Sequence, residues 1–202
     1  MFITDTFIIE DLKILEESKS TGTMRIAGIF QRANIPNQNK RIYEKKILIR
    51  ELGRLDEAVK ERRLMGELDH PSHDAVKLQN VSHLVTQLKM SGDDMLGEAE
   101  VLNTPSGQVA QALIRGGVKL GISSRGMGTL RERQDGISVV NDDFKLVTFD
   151  LVADPSTKGA FPELVNEGKD STFIENTIKE TYDKALSEKV FITLLRNKLN
   201  KK

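Results

Sequence analysis

The sequence contains no cysteine, no tryptophan and no net charge: 30 lysines and arginines balance 30 aspartates and glutamates, and aromatics are limited to eight phenylalanines and two tyrosines. Without thiols, cysteine nucleophiles, thiolate zinc sites and disulfide scaffolds are excluded, so the 202 residues must rely on an apolar core. Balanced charge removes any global field toward nucleic acid or anionic membrane, and scarce aromatics disfavour stacking on single strands. No apolar run approaches the roughly twenty residues of a membrane span. Asp5, Glu10 and Asp11 occupy the region where a secretory signal would be basic. A soluble, intracellular protein with no nucleic-acid or membrane partner is expected. Only three histidines are present, His70, His73 and His83, which leaves few choices for proton-transfer chemistry.

Periodicity organises what is there. Residues 2–15 read as one or two short strands and 22–33 as a longer one, in which Gly28 marks a bulge or a close approach. Ile47, Leu48, Leu52, Leu55 and Val59 recur at helical spacing across 43–63. Strands are expected at 79–90 and 95–102 across a Ser91-Gly92-Asp93-Asp94 turn. A helix should follow over 106–115, begun by Thr104-Pro105 and ended by Gly116-Gly117. Residues 136–140 and 144–153 read as a hairpin around Asn141-Asp142-Asp143. Two prolines and a glycine in 154–162 place a boundary near residue 160, giving a compact domain 1–160 and a linker with tail at 161–202. In the tail, Ile174, Ile178, Tyr182, Leu186, Val190 and Leu194 mark an amphipathic helix whose apolar face points to self-association or docking.

The stretch Gly121-Ile122-Ser123-Ser124-Arg125-Gly126-Met127-Gly128 joins an alternating strand to what reads as a glycine-rich loop. Gly121 leaves the face of Ser123 bare, so another backbone or a substrate can approach that hydroxyl. Pro71 biases His70 toward extended backbone and offers its ring from a strand end or a rigid turn. Asp150 interrupts an otherwise apolar strand, where an unpartnered carboxylate would cost several kcal/mol. An imidazole is a suitable partner. Ser123, His70 and Asp150 therefore supply nucleophile, base and orienting carboxylate, with Ser124 as the alternative nucleophile and Arg125 and Gly126 near the oxyanion. The order His, Ser, Asp differs from those of trypsin-like, subtilisin-like and α/β-hydrolase enzymes, and there is no G-x-S-x-G. His83 reads as structural, at a sheet edge or facing solvent. The pair His70 and His73 lacks the helical presentation and acidic company of a zinc site, and no metal or cofactor is expected.

Asn39-Lys40-Arg41-Ile42-Tyr43, Gly66-Glu67-Leu68-Asp69-His70-Pro71, the 121–128 stretch and Phe149-Asp150-Leu151-Val152-Ala153-Asp154-Pro155 together resemble the prohead core proteases of large tailed bacteriophages. The resemblance implies an α+β fold of the herpesvirus-protease type, a β-barrel surrounded by helices. It also implies a serine endopeptidase that degrades the internal scaffold and trims capsid proteins inside the prohead, in the host cytoplasm. The family histidine falls on His70 and the serine in Ser123-Ser124. Cleavage after glutamate in Leu/Ile-x-Glu sites is implied as well. One such site in this chain is Leu186-Ser187-Glu188 in the tail helix, where self-cleavage of a zymogen would release a basic C-terminal peptide; Leu55-Asp56-Glu57 and Leu96-Gly97-Glu98 fall inside expected core elements. The alternatives are a non-catalytic core or scaffold protein with the same fold and, more remotely, a packaging accessory that uses the basic C-terminus.

Overall fold

The computed structural model describes residues 2–7, 13–18, 23–71, 73, 75–153 and 163–164. Their strands are β1 (Phe2–Phe7), β2 (Lys13–Ser18), β3 (Thr23–Arg32), β4 (Arg41–Ile42), β5 (Met65–Glu67), β6 (Val81–Ser91), β7 (Asp94–Val101), β8 (Gly121–Met127), β9 (Leu130–Glu132), β10 (Ser138–Val140), β11 (Lys145–Val152) and β12 (Glu163–Leu164). Two helices, α1 (Lys45–Lys60) and α2 (Pro105–Arg115), accompany them. The expected α+β character holds. The amphipathic tail helix and Glu188 lie outside the described residues, as does the expected boundary at 160.

Among the described residues the strands form three sheets rather than the closed barrel that was expected. A six-stranded sheet runs β12-β2-β3-β7-β6-β5, a three-stranded sheet runs β1-β8-β11, and a small one runs β4-β10-β9. The physical reason lies at the outer edge of β11, which is covered by side chains and one short bridge instead of a full strand. Arg50 of α1 donates to the carbonyls of Asp142 and Phe144, Arg54 donates to that of Leu146, and the buried Glu51 accepts from the Leu146 N–H at 2.8 Å. Farther along, His83 meets the Phe149 carbonyl at 3.0 Å and the Asp69 N–H donates to Leu151 at 2.7 Å. Leu68 and Leu151 make a single parallel bridge. The edge is thereby satisfied without closure, as buried backbone polar groups must be.

Local sequence explains most elements. Thr104 caps α2 by accepting from the Gly107 N–H at 3.1 Å, with Pro105 in the first turn. One expectation fails: β10 does not form a hairpin with β11. It pairs with β9 and β4, whereas β11 pairs with β8. The turn at 141–143 is pulled apart because Phe144 turns into the core against Tyr43, with ring centroids 5.2 Å apart, while Arg50 grips the carbonyls on either side.

Face assignment in the three-stranded sheet depends on a bulge. Leu146 stands opposite Gly126 but Thr148 opposite Arg125, so Val147 is the extra residue. That single insertion reverses the parity of β11 beyond it and sets Asp150 directly across from Ser123. Without it Phe149 would face the serine.

The approach of β5 to β11 is equally constrained. A Cβ on Gly66 would lie 2.0 Å from the Phe149 carbonyl oxygen and 2.3 Å from the His83 ring, whereas a Cβ on Gly53 in α1 meets nothing within 4 Å. Gly66→Ala should therefore cost about 3 kcal/mol or more through forced overpacking, and Gly53→Ala should stabilise by about 1 kcal/mol through helix propensity. Urea denaturation of both variants measures the contrast, and a tolerated Gly66→Ala would contradict this packing.

Candidate active site

Ser123 and Ser124 project to opposite faces of β8, and the two faces have different chemistry. Ser124 accepts from the Gln31 amide at 3.1 Å on the side toward β3, where Phe30 and Phe149 pack edge to face. Ser123 lies with Arg125 on the other side, opposite Asp150. Its Oγ is 2.5 Å from His70 Nε2. The other ring nitrogen, Nδ1, is 3.7 Å from Asp150 Oδ2. The structure thus brings together the serine, histidine and aspartate singled out in the sequence, and Ser123 rather than Ser124 meets the histidine.

His70 reaches this position because the chain turns sharply just before it. After β5, Leu68 bridges to Leu151 and Asp69 adopts φ 65°, a left-handed conformation that aspartate tolerates better than most residues. The Asp69 N–H is held by Leu151, so the turn is pegged to β11 one residue past Asp150. Ser123 and Asp150 are fully buried, whereas about 30% of the His70 side chain is exposed. Solvent reaches the row at its histidine.

Arg125 and Gly126, expected in a loop around the oxyanion, are strand residues. The aromatic ring of Phe144 would lie 2.4 Å from a Cβ at 126, so Gly126 is there to admit that ring. The Arg125 guanidinium is fully buried and turned toward carboxylates: Nη2 is 2.9 Å from Asp150 Oδ1 and 2.7 Å from Glu67 Oε2, and Nε is 2.8 Å from Asp150 Oδ2 but off hydrogen-bond alignment. Nη1 donates to the carbonyl of His73 at 3.1 Å. With every nitrogen so directed, Arg125 is not an oxyanion donor in this arrangement. Asp150 Oδ1 also accepts from the Glu67 N–H at 3.0 Å, which leaves Oδ2 as the oxygen that faces the imidazole.

One participant was not recognised from sequence, and another was placed differently. Glu67 stands within the Gly66–Pro71 motif, but only its complete burial beside Arg125 reveals a role, and the available signal was an acid within a short apolar step. His83 is the one placed differently. It is structural as expected, yet it is wholly buried rather than at an edge or facing solvent: Nδ1 accepts from the Ser82 hydroxyl at 2.8 Å, which assigns the proton to Nε2 for donation to Phe149 O. Of the other candidate cleavage sites, Glu98 is buried against Arg25 at 2.6 Å, whereas Leu55-Asp56-Glu57 lies within α1 with Leu55 buried and Asp56 and Glu57 exposed.

A serine hydroxyl on an imidazole that faces a buried carboxylate is the arrangement of a serine hydrolase. The prohead core protein serine protease family model matches residues 4–170. The chain belongs to this family. It is 34% identical over 174 residues to the prohead core protein protease of Enterobacteria phage T4, across 80% of this chain and 82% of that one. The solved structure of the bacteriophage T4 capsid assembly protease matches with a TM-score of 0.68 and 29% identity, covering 75% of this chain and 97% of the other. This protease accordingly shares the fold of a capsid assembly protease, and the family name indicates the serine type.

The protease carries a pH liability apart from catalysis. Burial, more than any other influence, lowers the pKa of His83 from 6.5 to about 4, against the opposing pull of Asp150 and the Phe149 carbonyl. Between these values the unfolded chain binds a proton that the folded one refuses, so stability is complete above pH 6.5 and falls as the pH drops toward 4. The loss should be roughly 3 kcal/mol. Urea denaturation at pH 7.5 and pH 4.5 should show it for the parent protein, and His83→Gln should be weaker at neutral pH but less pH-dependent. An equal pH slope in the two proteins would refute the assignment.

Proposed function

We propose that this chain is the endopeptidase that processes core and capsid proteins within the prohead, using Ser123 as nucleophile, His70 as general base and Asp150 as orienting carboxylate. The observation that carries this reading is the short contact of Ser123 Oγ with His70 Nε2 beside Asp150. Ser123 Oγ attacks the peptide carbonyl as Nε2 takes its proton, and the imidazolium faces the Asp150 carboxylate through Nδ1. Nε2 then delivers the proton to the leaving amine. Water, activated by the same nitrogen, hydrolyses the acyl-enzyme.

Burial of Ser123 supports a further part of the reading. A peptide carbonyl has no path to a fully buried hydroxyl, which supports reading this as a closed, resting form that opens on the solvent side, where His70 lies, before acylation. That fits a zymogen trimmed by its own activity, with the bond after Glu188 as the proposed site and glutamate preferred before the cut. Core and major capsid proteins are the proposed substrates, and a homo-oligomer inside the procapsid is the proposed working form.

Co-expression with the cognate core protein tests the assignment. Ser123→Ala should abolish processing, because loss of a triad serine costs on the order of a millionfold in a known protease. Ser124→Ala should process the core. Intact processing by Ser123→Ala would refute the nucleophile.

A further inference from the structure

Arg125 is the largest fully buried side chain of the described residues, yet the proposed chemistry gives it no step. We infer that Arg125 and Glu67 are positioning residues, which together aim Asp150 at His70 and hold the histidine-bearing segment in place. The inference rests on the Ser123, His70 and Asp150 reading and deepens it.

Five contacts tie this pair to each other and to their surroundings. Arg125 reaches both carboxylates through Nη2, and it donates from Nη1 to the carbonyl of His73, three residues past the histidine. Glu67 contributes from both its main chain and its side chain: its N–H donates to Asp150 Oδ1 at 3.0 Å and its Oε1 accepts from the Lys77 N–H at 3.1 Å. The segment 67–77 is thus fastened at its start, middle and end to one buried cation and two buried anions. His70 lies inside that loop. Asp150 Oδ1 is occupied by two donors, so the carboxylate cannot rotate to exchange its oxygens, and Oδ2 stays toward His70 Nδ1.

The charged and titratable groups that bear on His70 are Asp150 from β11, Arg125 from β8, Glu67 from β5, the buried, neutral His83 from β6, and Asp69, His73 and Lys77 in its own segment. Arg125 cancels one of the two buried negative charges. Without it, two buried carboxylates that met on one nitrogen have no cation between them, and their uncompensated negative charge bears on the His70 imidazole. The acid limb of kcat/KM would move to higher pH. Removing the charge of Glu67 as well lessens that negative charge and returns the limb toward its original position.

The test measures kcat/KM against pH with a peptide copied from a core-protein cleavage site, for the parent protease and for Arg125→Gln, Arg125→Lys and Arg125→Gln/Glu67→Gln, beside Ser123→Ala. Arg125→Gln should lose at least about a hundredfold at neutral pH and shift the acid limb upward by a pH unit or more, and the double variant should move the limb back. Arg125→Lys keeps the charge but not the fork, so it should keep the limb and lose about tenfold in kcat/KM. A purely structural arginine would lower the amount of folded enzyme without moving the limb. An unmoved limb in Arg125→Gln, or one that the second substitution does not restore, overturns the inference. Should Arg125→Gln fail to fold, Arg125→Lys decides: parental kcat/KM or a displaced limb overturns it. Activity in Ser123→Ala would instead refute the underlying nucleophile assignment, whatever the arginine variants do.

Discussion

Three ionised side chains without solvent, Arg125, Asp150 and Glu67, must satisfy one another, and much of the architecture follows from that requirement. Leaving one such charge unpaired costs about 3–5 kcal/mol, a large part of the stability of an ordinary domain. Each charge therefore dictates the position of the element that carries it. Arg125 fixes β8, Asp150 fixes the register of β11, and Glu67 fixes the end of β5 together with the turn to His70. An apolar core tolerates small slips of packing, but this cluster does not, because its energy depends on separations below 3 Å. Geometry suitable for catalysis accompanies a cluster that the fold must form in any case.

The outer edge of β11 shows a second consequence. Its polar groups are met by guanidinium and carboxylate groups from α1 at one end and by His83 and Asp69 at the other. A neighbouring strand would have covered the same groups but would have kept the turn at residue 69 away from Leu151. Side-chain coverage leaves room for that turn, and with it for the histidine. Open sheets and an accessible His70 are two aspects of one arrangement.

Much of the local structure was legible in the sequence because it is encoded locally. The cap at Thr104, the period of α1 and the alternation around Ser123 depend on residues a few positions apart, and these expectations agree with the elements found. Asp150 drew attention because a carboxylate contradicts its apolar strand. The unread features are nonlocal. Nothing in Lys145-Leu146-Val147-Thr148 announces a bulge, since the extra residue is defined only against β8. The apparent hairpin at 141–143 has suitable turn chemistry, and only the pull of Phe144 toward Tyr43 and of Arg50 on the turn carbonyls sends its arms to different sheets. Arg125 was read as a loop donor for the same reason: its strand setting depends on β1 and β11 flanking β8.

The asymmetry within the row bears on how it works. The serine contact is already short at 2.5 Å, whereas Nδ1 and Asp150 Oδ2 are separated by 3.7 Å, and Oδ2 has no aligned hydrogen bond in this form. A shift of about 1 Å in the ring or the turn would complete the contact. Asp150 cannot supply that movement, because Oδ1 is anchored by Glu67 and Arg125 on packed strands. The adjustment falls to the His70 ring, the exposed member of the row, since the turn that carries it is pegged through the Asp69 N–H to Leu151. The row therefore has its adjustable part on the solvent side and its fixed part in the core. Rotation of the imidazole toward Oδ2 completes the row without displacing the strands that carry Ser123 and Asp150.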